Sequence, residues 1–220
     1  GESAAEAVAP AVLGAGAGRV LVYSVGSPTS GIPRAWGAVH DQPGVYVVDE
    51  LTEDAAARIG DRMLRHPLAG PGAVIVASIH WGGNWGYEIP AEQVRFAHRL
   101  VEQGVDIVHG HSSHHAKGIE VYRERLILYG CGDLLDDYEG ISGYEAFRSD
   151  LRLMYLVKVD PPEGRLIEVR LIPMQVRRFR LHRAAAADAH WLCGLLNRLG
   201  TPLGTRVQLQ DDGNMALQWP

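Results

Sequence analysis

Ala73-Val74-Ile75-Val76-Ala77-Ser78-Ile79-His80 and Val105-Asp106-Ile107-Val108-His109-Gly110-His111 decide how this chain is read. The first is continuously apolar up to Ser78, the pattern of a strand buried on both faces, and His80 follows at its carboxyl end. The second gives a short strand over 105–108, with a cluster of histidines directly after it. Between them Pro90 opens a helix predicted over 91–103, and Gly104 stands just past its end. Strand, loop, helix and strand make a βαβ-type unit, in which ligands sit beyond the carboxyl ends of the strands. Both histidine-bearing segments fall there.

Working outward, residues 4–13 read as a short alanine-rich helix broken by the glycines of 14–18. Residues 19–25 read as a buried strand, 26–37 as a loop and 45–48 as a strand. Thr52 is a predicted N-cap for a helix running to about His66, with Glu53 and Asp54 suited to its first turn. Beyond the histidines, 119–122 and 126–129 read as short strands around Arg123-Glu124-Arg125. Residues 153–159 and 166–173 form a predicted hairpin about Pro161-Pro162-Glu163-Gly164, and 186–199 a helix ended by Gly200. A second hairpin, 207–209 with 215–219, turns at Asp211-Asp212-Gly213-Asn214. The fold class is α/β, with one domain over 1–220 in which 174–220 is a variable extension.

The formal net charge of −5 and the ordinary 46 % hydrophobic content point to a globular chain that does not bind nucleic acid. Its only basic cluster, Arg177, Arg178, Arg180 and Arg183, reads as a solvated strand edge. Two cysteines, Cys131 and Cys193, make neither a disulfide scaffold nor a zinc-type pair. No apolar run is long enough to span a bilayer. The chain opens on Gly1 rather than Met, so a processed or trimmed start is expected; the compartment is cytoplasmic by default and extracytoplasmic if an upstream anchor exists.

Five of the ten histidines, His80, His109, His111, His114 and His115, lie in the two segments. Imidazole ligates zinc, iron and manganese and serves as a general acid or base near neutral pH. His80, His111 and His114 are the candidate catalytic and metal-binding residues. His109 is expected to face away in the last turn of its strand, and His115 to be a neighbour. Asp133, in Gly130-Cys131-Gly132-Asp133, either bonds a ligated histidine from behind or caps a turn. Glu88 reads as a solvated loop carboxylate and Cys131 as a small buried thiol. Trp81 and Trp85 either wall a pocket or belong to the core. His40, His66, His98, His182 and His190 have no partner spacing.

Taken in order, Ser78-Ile79-His80-Trp81-Gly82-Gly83, Gly104-Val105-Asp106-Ile107-Val108-His109-Gly110-His111, Ile119-Glu120-Val121-Tyr122 and Leu126-Ile127-Leu128-Tyr129-Gly130-Cys131-Gly132-Asp133 resemble the CapA-type family of poly-γ-glutamate capsule biosynthesis. That family is related to calcineurin-like metallophosphoesterases. The resemblance runs from about Val20 to Pro173. It implies a layered α/β/β/α sandwich with a divalent metal (manganese, iron or zinc) at the strand ends. His80 matches the family's isolated histidine, His111 and His114 the pair of its Gly-His-x-x-His motif, and Glu120 its Ile-Glu-x-Tyr, with His109, Asp133 and Glu120 as a second layer. The earlier Gly-Asp and Asn-His segments of full-length members are absent, so the chain resembles the C-terminal portion of such a domain, its other half missing or carried by a partner subunit.

Two functions follow from that resemblance. One is a metal-dependent hydrolase of a phosphoester or amide-type bond in capsule or polyglutamate biosynthesis. The other is a non-catalytic subunit that binds a small molecule or polyanionic polymer during assembly.

Overall fold

The computed structural model describes residues 1–15, 18–138, 141–161 and 163–220. Two predicted features lie partly outside that set: residues 16 and 17 of the glycine-rich break, and Pro162 of the first hairpin turn.

One sheet of six strands carries the βαβ unit. Its strands are β1 (Ala11–Ala15), β2 (Gly18–Gly26), β3 (Ala73–His80), β4 (Ile107–His111), β5 (Ile119–Tyr122) and β6 (Arg125–Leu128), in the order β1-β2-β3-β4-β6-β5. The central strands β2, β3, β4 and β6 are parallel, and β1 and β5 are antiparallel at the two edges. Helices α2 (Glu53–Leu64) and α3 (Ala91–Gln103) cover one face of it. There Ile59 and Met63 of α2 and Phe96 and Leu100 of α3 share a core with Leu21, Ile75, Ile79, Val108 and Ile127. Local signals fix both helices. The Thr52 side chain accepts from Ala55 N–H, and Gly104 takes the left-handed conformation that ends α3 at a φ of 110°.

The second sheet is antiparallel, in the order β10-β11-β8-β7 with β9 also paired to β8. It is made from β7 (Leu151–Asp160), β8 (Arg165–Arg177), β9 (Arg180–Arg183), β10 (Arg206–Leu209) and β11 (Met215–Gln218). Leu126, Leu128 and Ile119 of the first sheet meet Leu153, Val169 and Leu171 of the second in a second core. Leu192 and Leu196 of α4 (Ala186–Gly200) join the same core. Helices on a mixed sheet on an antiparallel sheet give the α/β sandwich expected.

Four expectations about elements are corrected. The helix expected over 4–13 is only α1 (Ala4–Ala7). Pro10 cannot continue it, and Val12 and Leu13 instead pair with Leu21 and Val20 in β1. Residues 45–48 make isolated bridges through Val45 and Val47 rather than a strand. The strand expected over 105–108 runs from Ile107 to His111, because Val105 N–H still bonds Leu100 O at the helix exit. The strand expected over 166–173 runs on to Arg177, where it pairs with β9.

Candidate functional site

The parallel register of β3 and β4 sets Ser78 beside His109 and His80 beside His111. Strand alternation puts all four side chains on the face opposite Ala77, Ile79 and Val108, so the helix core claims one face and the polar groups the other. Ser78 Oγ lies 3.0 Å from His109 Nδ1, and His80 Nδ1 lies 3.1 Å from His111 Nδ1. Burial, with His109 and His80 alongside, lowers His111 to about 4. Burial also lowers His80, with His114 adding to it, and lowers His109. All three rings are therefore neutral at physiological pH. In a neutral pair joined through Nδ1, the donor ring keeps a lone pair on Nε2 and the acceptor ring keeps its proton there. His80 and His111 thus present one hydrogen-bond acceptor and one donor at their Nε2 atoms, the two ends of a proton relay through the Nδ1 contact.

His114 is held in a separate network. Its Nδ1 is 2.9 Å from Asp133 Oδ2 and 3.0 Å from the Tyr138 hydroxyl. Asp133 also pairs with Arg152 of β7 at 2.7 Å, and Arg152 in turn bonds Asp136 at 2.9 Å. Burial pushes the Asp133 carboxyl upward, but the hydrogen bonds from Arg152 and His114 outweigh it and hold the group below its ordinary value. The half-buried Trp85 ring lies 5.2 Å from His114 and stacks on Tyr144 at 4.3 Å. The two loops are tied together by Ser112 Oγ, which donates to Gly82 O at 3.0 Å from a backbone with φ of 129°.

Residues 1–138, which hold both histidine segments and Asp133, match the family described as bacterial capsule synthesis protein PGA_cap. The chain belongs to the PGA_cap family. It is 47 % identical over 195 residues to the probable polyglutamine synthesis accessory protein of Mycobacterium tuberculosis, covering 88 % of this chain and 51 % of that protein. It is also similar to the capsule biosynthesis protein CapA of Bacillus anthracis, 29 % identical over 73 residues, covering 33 % of this chain and 18 % of that protein. The PGA biosynthesis protein CapA of Bacillus subtilis is 28 % identical over 85 residues, covering 39 % and 21 %. The chain spans about half the length of the mycobacterial relative.

The histidines of the two segments are thus brought together only in part. His80 and His111 touch; His114, the second histidine of Gly-His-x-x-His, is bonded to Asp133 and Tyr138 instead. Asp133 bonds His114, a histidine of the motif. His109 does not face away: it sits within β4, on the same face as His80 and His111. Glu120 is not beside these histidines at all. Its carboxylate accepts from the Tyr129 hydroxyl at 2.6 Å and pairs with His98 of α3 at 3.0 Å, which gives His98 the partner that spacing did not suggest. His115 is buried against Tyr87 and Phe147, a neighbour and not a member of the pair. Trp81 is core, donating Nε1–H to Tyr129 O, whereas Trp85 walls His114. Glu88 is exposed, and burial pushes the Cys131 thiol up to about 12, far from nucleophilic.

Among the described residues no three His, Cys, Asp or Glu side chains converge on a point where a metal ion could sit. Catalytic zinc-type sites draw three protein ligands. His80 and His111 offer two, so these residues do not fit a divalent ion by themselves. Spacing in the sequence does not point to Arg152 or Tyr138. Arg152 does carry a signal, a charge set between Leu151 and Leu153 in an apolar strand; Tyr138 carries none.

Proposed function

We propose that this chain forms part of a hydrolytic centre of the metallophosphoesterase-like type, acting on a phosphoester or amide-type bond in capsule or polyglutamate biosynthesis. The His80–His111 contact carries this reading: two neutral imidazoles, one offering a lone pair and one an N–H, suit proton transfer to and from a scissile group. Any metal the reaction uses would need further ligands, from a longer chain or a partner subunit. The capsule synthesis family and the names of the two Bacillus relatives support the capsule setting.

A second reading has its own support. A non-catalytic accessory role in polymer assembly agrees with the word "accessory" in the mycobacterial relative's name and with the contact, among the described residues, of two histidines without a third ligand beside them.

Hydrolysis of a chromogenic phosphodiester and of γ-linked polyglutamate, with and without added manganese, iron or zinc, separates the two. His80→Ala and His111→Ala should each lower turnover by about 100-fold or more while the fold is kept. Near-native turnover in both variants would remove the pair from the chemistry. No turnover of either substrate by the parent protein under any metal condition, with polymer binding intact, would establish the accessory role instead.

A further inference from the structure

The end of β8 and the whole of β9 form a hairpin whose tip is Arg178-Phe179, with φ of 52° and 56°. A two-residue turn with both φ positive favours Asn-Gly; two large side chains in that conformation carry a steric cost. Phe179 nonetheless stands 62 % exposed at the apex. Beneath it Arg177 lies directly opposite Arg180, and Gln175 opposite His182. Alternation puts these groups on one face, where Arg177, Arg178, Arg180 and His182 line a concavity of about 610 Å³.

Like charges directly opposite on a ladder are unfavourable unless something neutralises them. Among the described residues no carboxylate pairs with Arg177 or Arg180, whereas Arg34, Arg65, Arg125, Arg148 and Arg152 all have acidic partners. No Asp or Glu occurs in sequence between Glu168 and Asp188. Asp150, which reaches the hairpin base by accepting from Gln175 at 2.7 Å, is already held by Arg148. In a chain of net charge −5, Arg177 and Arg180 thus set two cations without a carboxylate partner among the described residues beneath an exposed aromatic ring.

We propose that the β8–β9 hairpin docks the protein on an anionic lipid surface, with Phe179 at headgroup depth and the arginines on headgroup phosphates and carboxylates. Arginines alone would serve a soluble polyanion. An aromatic ring held at the apex of a strained turn is rewarded by the boundary between water and acyl chains, where one side is apolar and the other charged. This docking does not depend on the histidine centre, so His80→Ala and His111→Ala should bind lipid as the parent does.

Cosedimentation with phosphatidylcholine vesicles containing about 30 % phosphatidylserine, against phosphatidylcholine alone, tests it. The protein should partition at least about tenfold more strongly onto the anionic vesicles, and be released as NaCl rises from about 0.05 to about 0.5 M. Arg177→Glu with Arg180→Glu should lose that gain, and Phe179→Ser should lose severalfold while keeping the salt dependence. If the charge reversal fails to fold, Arg177→Gln with Arg180→Gln takes its place. Equal partition onto both vesicles, or arginine variants that bind normally, overturns the proposal. Phe179→Ser binding normally overturns it too, and γ-linked polyglutamate retained by that variant would then mark the hairpin as a polymer site.

Discussion

A ring packed between two other imidazoles has little room for a proton's charge. His111, half-buried, touches His80 at 3.1 Å and lies 5.4 Å, centroid to centroid, from His109. An unfolded histidine titrates near 6.5, and folding lowers His111 to about 4. Between those values the unfolded chain binds the proton and the native one does not. The stability this group contributes is therefore fully present above about pH 6.5 and is lost as pH falls towards 4, by up to about 3 kcal/mol. His80 and His109 are shifted in the same direction and add to the slope. Urea unfolding in chelator between pH 7 and 4.5 should show stability dropping steeply, and His111→Gln should make that fall shallower by close to one proton. An unchanged slope in the variant would mean that His111 is not the buried, neutral group its neighbours imply.

At the scale of elements, Gly110 shows why β4 can carry two histidines towards one face. A methyl group there would stand 2.4 Å from Trp81 Nε1 and 2.7 Å from both Leu128 O and Tyr129 O. Two of those three neighbours are backbone and cannot swing aside. Gly110→Ala should therefore cost about 3 kcal/mol and disturb the Trp81 hydrogen bond, while Thr52→Ala, which removes only the cap of α2, should cost about 1 kcal/mol. Thermal unfolding of the two variants checks the ranking; equal costs would mean that β4 can move away from β6. The same elements show what could be read from sequence. Helices α2 and α3 were legible because Thr52 and Gly104 act on residues beside them. The Ala73–His80 strand was legible because burial on both faces writes itself as an unbroken apolar run. The true span of β4 was not, since where a strand begins depends on how α3 releases the chain at Val105 and on pairing with Ile75. Nor was β1: alanine favours helix, and pairing with β2 overrides that preference.

Across the whole molecule, the second sheet supports the site it does not contain. Arg152 of β7, with 3 % of its side chain exposed, reaches Asp133 and Asp136 in the segment after β6, and Asp133 holds His114. A charge so deeply buried is tolerated only with its partners, and removing it strands two carboxylates in a low dielectric. This chain of contacts explains why His114 Nδ1 bonds Asp133 rather than the His80–His111 pair: Asp133 is itself held by a strand about forty residues after His114. Arg152→Met should therefore cost about 3–4 kcal/mol, and Asp133→Asn and Asp136→Asn each somewhat less. Arg152→Met combined with Asp133→Asn should cost less than the two single changes added together, by about 1 kcal/mol or more, because the second change removes a charge the first left unpaired. Denaturant unfolding of the four proteins measures this coupling. Strict additivity would mean that the second sheet and the His114 loop are independent, and that His114 keeps its place by local contacts with Tyr138 and Trp85 alone.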